Sequence, residues 1–236
     1  MTTVSVLIPA FNEKERIAVT IAAIRKIPHI AEIIVIDDGS SDGTAAAAEA
    51  AGADVALIIP HGGKGAALNA GLNVARGDVL LLLDADLGDT ATQASKLLEP
   101  VRTGVAHMTI ATFPVIPGKG GGIGLAVRTA RKGIENLTGR TMHAPLSGQR
   151  AVTRTVLDEV GGFSEGWGVE IGLTVKALWL DFTVMEVPTT MTHRVTGRSF
   201  AAIRHRLSQY VAAQRLLSHL RSIREEFIAN HGQKTA

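Results

Sequence analysis

The stretch Gly77-Asp-Val-Leu-Leu-Leu-Leu-Asp-Ala-Asp86 decides the fold of this chain. Its unbroken apolar run, residues 79–83, is typical of a strand that is buried on both faces, as in a parallel sheet. The run ends in Asp84 and Asp86, whose side chains would lie on the same side of an extended backbone. In open α/β sheets, ligands bind at the carboxyl ends of the strands. Two acids there predict a divalent cation that carries a phosphorylated ligand; the alternative is a polar turn, where Asp is common.

Length and composition favour one α/β domain, or one domain with a small appendage. The 236 residues are 46% hydrophobic and 19% charged, which supports a folded core rather than disorder. Cysteine is absent, so disulfides, thiolate metal sites and cysteine nucleophiles are excluded. A net charge of +2 and an aromatic content of 4% argue against nucleic acid as a partner. No apolar run reaches the roughly 20 residues of a membrane span and no leader pattern is visible, so we expect a cytoplasmic protein.

Apolar segments alternate with helical patterns along the first half of the chain. Residues 4–9, 32–36 and 55–59 have the pattern of strands, and each is followed by a polar loop and a helix. This alternation predicts βαβ units and a mostly parallel sheet. The carboxyl ends of its strands should bring four polar loops to one crevice: Asn12 and Glu13, Asp37 and Asp38, His61 to Gly65, and Asp84 to Asp86.

The second half of the chain is less regular. We predict strands over residues 106–111, 145–151 and 182–187, and helices over residues 92–103, 125–137, 153–160 and 169–180. Residues 113–122 are rich in Pro and Gly, which predicts a lid or a binding loop. Residues 199–228 form one long amphipathic helix or two shorter ones, in which an apolar stripe is flanked by Arg.

The common nucleotide-binding fingerprints are missing. No Gly-x-Gly-x-x-Gly follows the first strand, and Gly63-Lys-Gly65 lacks the spacing and the Ser or Thr of a Walker A motif. The acidic pair and this loop still suit a nucleotide diphosphate, because carboxylates bind Mg²⁺ or Mn²⁺ and a lysine at a helix start attracts phosphate. The segment Asp37 to Ser40 is placed to hydrogen-bond a base or a ribose. The structural alternatives are a solvated Lys64 and an acidic turn that caps a helix.

Four motifs resemble, in their order and spacing, the nucleotide-sugar-binding half of family 2-type glycosyltransferases with the GT-A fold. They are Pro9-Ala-Phe-Asn-Glu13, Val35-Ile-Asp-Asp-Gly-Ser-Ser-Asp-Gly-Thr44, Gly63-Lys-Gly65 and Asp84-Ala-Asp86. The resemblance implies a Rossmann-like α/β fold, with a mostly parallel sheet flanked by helices and a C-terminal amphipathic helical segment. It divides the chain into a GT-A domain at residues 1–198 and a helical extension at 199–236. Within the domain, residues 1–88 are the nucleotide-sugar half and residues 89–198 the acceptor half.

The second half is similar to a narrower group, the glucosyl-3-phosphoglycerate synthases. The matching segments are Pro145-Leu-Ser-Gly, Gly166-Trp-Gly-Val-Glu-Ile-Gly-Leu173 and Thr192-His-Arg194. The chain is shorter than we expect of that group, and its loop Pro114-Val-Ile-Pro-Gly-Lys-Gly does not match the group's phosphoglycerate-binding segment. The acceptor is therefore left open.

The resemblance also implies a role for each candidate residue. Asp84, Asp86 and His193 would hold Mg²⁺ or Mn²⁺, and Lys64 would contact the diphosphate. Glu170 would lie beside the acceptor or the donor sugar, so the catalytic set is Glu170, Asp86 and Lys64. The alternatives are a surface histidine at 193 and, for Glu170, a carboxylate that stabilises a helix dipole. The donor would contact a wider set of positions: Pro9, Ala10, Asn12, Glu13, Asp37, Asp38, Ser40, Gly63, Lys64, Gly65, Asp84 and Ala85.

We therefore expect a metal-dependent glycosyltransferase that moves a sugar from a nucleotide diphosphate, with a UDP-sugar as the default, to a hydroxyl or phosphate acceptor such as 3-phosphoglycerate. One alternative is a polyprenyl-phosphate or glycolipid transferase, held at the inner face of the membrane by the basic C-terminal helix. That helix would otherwise pack on the domain or on a homodimer partner. A sugar-phosphate nucleotidyltransferase and a non-catalytic nucleotide-sugar sensor are further alternatives. Inversion or retention at the sugar is also left open.

Overall fold

The computed structural model describes residues 2–113, 124–164, 168–192 and 200–231, with the backbone alone for residues 200–210 and 212. Strands and helices alternate through the first half, as predicted. The strands are β1 (Val4–Ala10), β2 (Ile30–Asp37), β3 (Val55–Ile58), β4 (Val79–Leu82), β5 (Met108–Thr112), β6 (Arg150–Thr153) and β7 (Val184–Pro188). The helices are α1 (Lys14–Ile24), α2 (Thr44–Ala50), α3 (Lys64–Val74), α4 (Ser95–Arg102), α5 (Leu125–Thr138), α6 (Arg154–Val160), α7 (Val169–Trp179) and α8 (Phe200–His231), with a 3-10 helix at Gly88–Ala94.

The strands form one seven-stranded sheet in the order β3-β2-β1-β4-β6-β5-β7. Strand β1 pairs in parallel with β2 and β4, and β2 pairs in parallel with β3. Strand β6 runs antiparallel to both of its neighbours, β4 and β5, while β5 and β7 are parallel. This mostly parallel sheet with helices on its faces confirms the predicted fold class. The division into a domain and a helical extension stays a prediction.

Strand β4 is the centre of the sheet and is buried on both faces, as its apolar run predicts. Leu80 and Leu82 pack with residues from α3, α5, α6 and α7 on one face. Val79 and Leu81 pack with α1, α4 and the 3-10 helix on the other face. Each fully buried leucine contributes about 1.5–3 kcal/mol relative to an exposed one. The burial of this strand therefore holds the acidic segment that follows it at the sheet edge.

The predicted strand over residues 145–151 is shorter than expected. Only Arg150 and the residues after it belong to β6. Before it, the Arg150 guanidinium donates hydrogen bonds to the carbonyls of Ser147 and Pro145. These bonds hold the segment before β6 as a loop, because the carbonyls of Pro145 and Ser147 bond to the Arg150 side chain and not to a neighbouring strand.

Helix α8 packs against α5 and α7. Its Ala213, Leu217 and Leu220 are buried, and a Cβ at Gly133 of α5 would overlap Leu217. Its arginines Arg215, Arg221 and Arg224 are exposed. The described part of α8 thus matches the alternative in which the helix covers the domain with a solvated basic face. Among the helices within the described ranges, none is long and apolar enough to cross a membrane.

A buried carboxylate ties the strands together at their amino ends, opposite the candidate site. Glu32 accepts hydrogen bonds from Ser5 Oγ at 2.6 Å and from Arg76 N at 2.7 Å, and Ser5 Oγ accepts one from Gly77 N at 2.7 Å. Burial alone would raise the pKa of Glu32. The hydrogen bonds from Ser5 and Arg76 outweigh that effect and hold this pKa below its ordinary value.

Candidate functional site

The loops at the carboxyl ends of the first strands meet, as the sequence predicts. Asp38 N donates to the carbonyl of Ala10 at 2.9 Å, which joins the ends of β2 and β1. Asn12 N donates to Ser40 Oγ at 2.8 Å, and Ser41 N donates to Asn12 Oδ1 at 3.0 Å. These short polar contacts fix the β1 and β2 loops relative to each other. The crevice is therefore a structural unit and not a set of independent turns.

Asp37 and Asp38 are both buried, and their oxygens accept hydrogen bonds from the chain itself. Asp37 accepts from Ser40 N at 2.8 Å and from Ala45 N at 3.0 Å. Asp38 accepts from Gly62 N at 2.7 Å and Gly63 N at 2.9 Å, and it lies 2.9 Å from His61 Nδ1. Asp38 thus positions the loop that leads to Lys64, and Asp37 fixes the turn between β2 and α2. Their contact with a base or a ribose stays a prediction.

Lys64 is the centre of the site. Its Nζ lies 2.9 Å from Asp84 Oδ1 and 3.0 Å from Glu170 Oε1. The chain reaches this position because Gly63 adopts φ 85° immediately before α3, a conformation that favours glycine. Burial alone would lower the pKa of Lys64, but the charges of Asp84 and Glu170 outweigh it and raise this pKa above its ordinary value. The structure thus brings together three residues that the sequence analysis placed in the site.

The loop at residues 147–149 closes over this ion pair. Gln149 Nε2 donates to Asp84 Oδ2 at 2.7 Å, so both oxygens of Asp84 have a partner. A Cβ at Gly148 would overlap Lys64 Nζ and would lie 3.2 Å from Asp84 Oδ1. The sequence analysis quoted Pro145-Leu-Ser-Gly as a motif but did not identify Gln149. No spacing in the sequence marks this residue, because its contact depends on the antiparallel pairing of β6 with β4.

Arg150 is a second residue that the sequence analysis did not identify. Its side chain is buried behind the loop, where it donates to Ser147 O and Thr174 Oγ1, both at 2.8 Å. Thr174 Oγ1 in turn donates to the carbonyl of Glu170 at 2.7 Å. Burial lowers the pKa of Arg150 to about 10, against the opposing effect of the charges on Glu170 and Glu186. Arg150 therefore stays charged at neutral pH and connects the loop to helix α7.

The predicted metal ligands are partly within the described residues. Asp86 follows β4 and is half-buried. Thr192, the last described residue before His193, donates from its backbone N to Thr90 Oγ1 at 3.2 Å and so lies beside the 3-10 helix. His193 lies outside the described residues. Within the described ranges, no group of three or more His, Asp or Glu residues is arranged to hold a metal. The carboxylates of Asp84 and Asp86 are the oxygen donors that Mg²⁺ and Mn²⁺ prefer, so the residues fit such an ion, but the predicted ligand set stays a prediction.

The remaining predicted donor contacts lie around the same crevice. Pro9 and Ala10 end strand β1, and Gly65 is buried in the first turn of α3. Glu13 forms an ion pair with Arg16 at 3.1 Å. Ala85 is buried, and its carbonyl accepts a hydrogen bond from Thr20 Oγ1 at 2.8 Å. Their place at this edge agrees with the sequence analysis, and their contact with a nucleotide stays a prediction.

Comparison with known proteins gives a consistent picture. The model of the family described as "Glycosyl transferase family 2" matches residues 5–161. The glycosyltransferase AglJ of Haloferax volcanii is 32% identical over 197 residues, which are 82% of this chain and 64% of that protein. The polyprenol monophosphomannose synthase of Mycolicibacterium smegmatis is 34% identical over 217 residues, 82% of this chain and 79% of that protein.

The glucosyl-3-phosphoglycerate synthase of M. smegmatis is 34% identical over 194 residues, 73% of this chain and 63% of that protein. This chain therefore spans less than two thirds of AglJ and of this synthase.

Solved structures of the glucosyl-3-phosphoglycerate synthase of Mycobacterium tuberculosis share the fold. The complex with Mg²⁺ and UDP has a TM-score of 0.76 at 29% identity and covers 92% of this chain and 79% of that one. The complex with Mn²⁺, UDP-glucose and phosphoglyceric acid has a TM-score of 0.72 at 28% identity and covers 90% of this chain and 79% of that one. This similarity confirms the predicted GT-A fold.

Proposed function

Since this chain belongs to glycosyl transferase family 2, we propose that it transfers a sugar from a nucleotide-diphosphate donor to a hydroxyl or phosphate acceptor. The proposed donor is a UDP-sugar, because the similar M. tuberculosis structures hold UDP or UDP-glucose. The observation that supports this function most directly is the Lys64 ammonium, which is held between Asp84 and Glu170 at the carboxyl edge of the sheet.

Lys64 is suited to the main electrostatic demand of the reaction. Negative charge develops on the diphosphate as the bond to the sugar breaks, and a fixed cation stabilises that charge without having to reorganise. The raised pKa of Lys64 keeps the amine protonated in this role. Asp86, with Asp84, is the proposed seat of a Mg²⁺ or Mn²⁺ ion, which when bound would supply further positive charge to the diphosphate.

Glu170 is the proposed partner of the acceptor. It lies in the first turn of α7, and only 13% of its side chain is exposed. When the diphosphate engages Lys64, Glu170 Oε1 becomes available to accept a hydrogen bond from the acceptor hydroxyl. It would orient that hydroxyl, or take its proton as the new bond to the sugar forms.

Two acceptor classes follow from the relatives. The M. tuberculosis structure with UDP-glucose also holds phosphoglyceric acid, which supports a small phosphorylated acid. The polyprenol monophosphomannose synthase, of which the chain covers 79%, supports a polyprenyl phosphate. Both acceptors carry an anionic group, and this charge does not distinguish them. The donor panel is therefore run with each acceptor.

The test is a donor panel with the purified chain and Mn²⁺, in which UDP- and GDP-sugars are each combined with 3-phosphoglycerate or a short polyprenyl phosphate. We expect release of the nucleoside diphosphate together with a glycosylated acceptor. Asp86→Asn and chelation of the metal should each abolish transfer. Full transfer under chelation would contradict the metal-dependent mechanism. Release of pyrophosphate from a nucleoside triphosphate would indicate a nucleotidyltransferase, and binding of UDP without turnover would indicate a sensor.

A further inference from the structure

Gln149 holds the carboxylate that in turn holds Lys64. The side chain is buried, at 1% exposure, and its backbone is fixed because Gln149 O accepts a hydrogen bond from Ala111 N at 2.9 Å. In the antiparallel pairing of β6 with β4, Leu82 is opposite Arg150, which places Gln149 beside the end of β4. The amide therefore reaches Asp84 from the last loop residue before β6, whose backbone is held by a hydrogen bond to β5.

The Asp84 carboxylate is bonded on both of its oxygens. Lys64 Nζ donates a hydrogen bond to Oδ1 at 2.9 Å, and Gln149 Nε2 donates one to Oδ2 at 2.7 Å. A carboxylate with a donor at each oxygen is restrained in its rotation about χ2, so the position of Asp84 Oδ1 depends on Gln149. The amide is uncharged, and it orients Asp84 without neutralising it and without competing with Lys64 for the donor diphosphate.

The oxygen of the Gln149 amide indicates that the hydrogen bond to Asp84 does not serve the stability of the fold. Gln149 Oε1 and the neighbouring Ser147 Oγ are buried, and neither has a hydrogen-bond partner in the described part of the chain. A buried acceptor without a partner costs free energy, and an apolar side chain of the same size would avoid that cost. Such a group is typical of a functional site, where a residue is retained for its effect on neighbouring groups.

We propose that Gln149 is a positioning residue, whose hydrogen bond to Asp84 fixes the Lys64 ammonium where it meets the diphosphate of the donor. This inference rests on the proposed function for its effect on transfer. The contact on which it depends is between residues of this chain alone. The hydrogen bond should therefore affect catalysis, and it should also affect the reactivity of Lys64 when no donor is bound.

The first measurement compares wild type with Gln149→Met, which keeps the volume of the side chain and removes the donor. We expect kcat to fall about 10- to 100-fold, as for a displaced catalytic group, and KM for the donor to change much less. The midpoint of thermal unfolding should stay the same or rise, because the variant removes the unpartnered Oε1. A purely structural role predicts the reverse, with a lower midpoint and an unchanged kcat, and that result would overturn the proposal.

The second measurement follows Lys64 itself by amine-specific labelling and mass spectrometry in the absence of any donor. We expect Lys64 to be labelled several-fold faster in Gln149→Met, because Asp84 holds it less firmly. The matched control is Gln93→Met, since Gln93 also has a buried Oε1 without a partner in the described residues but lies in the 3-10 helix. Gln93→Met should change neither kcat nor the labelling of Lys64. Equal labelling of Lys64 in wild type and Gln149→Met would refute the proposal.

A double-mutant cycle separates the route through Asp84 from any other effect. In an Asp84→Asn background, Gln149→Met should change the rate at which Lys64 is labelled by less than it does in the wild-type background. Equal effects in both backgrounds would contradict a role through Asp84. If wild type transfers no sugar, and Lys64 is still labelled faster in Gln149→Met than in wild type, the proposed function is refuted and the contact is established.

Discussion

Lys64 Nζ lies 3.0 Å from Glu170 Oε1, and this ion pair joins a helix start of the first half of the chain to a helix start of the second. Lys64 begins α3 and Glu170 lies in the first turn of α7. A carboxylate and an ammonium at this distance hold each other in place, so neither half can form the site alone. The predictions that follow test this arrangement and the structure that supports it.

Removal of the Lys64 charge should impair transfer far more than it impairs folding. In Lys64→Met the diphosphate loses a fixed cation, so we expect kcat to fall about 10²- to 10³-fold, as when one preorganised donor is removed. The measurement is steady-state release of the nucleoside diphosphate. Lys96→Met on the exposed face of α4 is the matched control and should behave as wild type. A Lys64→Met enzyme with wild-type kcat would exclude Lys64 from the mechanism.

A single methyl group at Gly148 should displace Lys64. The added Cβ would overlap Lys64 Nζ, so the ammonium must leave its place between Asp84 and Glu170. We expect Gly148→Ala to weaken UDP binding about tenfold or more, measured by calorimetry, because the phosphate loses a well-placed cation. Gly124→Ala is the control, since a Cβ at Gly124 would meet no atom within 4 Å in the described structure. Unchanged UDP affinity in Gly148→Ala would show that Lys64 does not bind the diphosphate.

Thr174→Val should test whether Arg150 supports the site from behind. The variant keeps the shape of the side chain but removes the acceptor that Arg150 contacts at 2.8 Å. A buried guanidinium that loses a partner should lower the free energy of unfolding by about 1–3 kcal/mol, measured by urea denaturation. Because Thr174 also bonds to the carbonyl of Glu170, we expect a lower kcat as well. Stability and kcat that both equal wild type would show that the contact is dispensable.

The stability of the chain should depend on the ionisation of Glu32. Since its pKa in the folded state is depressed, the contribution of this carboxylate is present above the pKa of the unfolded chain and is lost as the pH falls through the folded value. Glu32→Gln should therefore lower the free energy of unfolding at pH 7, by about 1–3 kcal/mol, and cost less below about pH 4. The measurement is urea denaturation at both pH values. A cost that is the same at both would rule out this linkage.

Helix α8 should stabilise the domain through its apolar side. Leu217→Ala removes a buried side chain that packs at Gly133, so we expect a loss of about 2–5 kcal/mol in the free energy of unfolding. Arg221→Gln on the exposed side should leave stability unchanged. A test of the membrane alternative uses the same pair of variants in flotation with anionic vesicles. If wild type binds the vesicles and Arg221→Gln binds them more weakly, contact between the basic side of α8 and lipid is supported.

Much of the fold could be predicted from local patterns. The run at residues 79–83 predicts a strand buried on both faces, and β4 is such a strand with one set of side chains in each layer of the core. The alternation of short apolar segments with helices predicts the parallel arrangement of β1, β2, β3 and β4. These features depend on periodicity along the chain, which is visible in one dimension. The predicted strand at residues 145–151 is formed only from Arg150 onward, because the carbonyls of Pro145 and Ser147 accept hydrogen bonds from this buried arginine, which no local pattern reveals.

The sequence by itself determined the candidates for the chemistry: Asp84 and Asp86 directly after a buried strand, a Gly-Lys-Gly loop at a helix start, and a carboxylate at the start of a later helix. The tertiary structure alone decided how they act on each other. Gln149 bonds to Asp84 because β6 runs antiparallel beside β4, and Lys64 meets Glu170 because α3 and α7 begin at the same sheet edge. Such contacts depend on distances across the sheet. Strand order and register set these distances, and the spacing of residues along the chain does not reveal them.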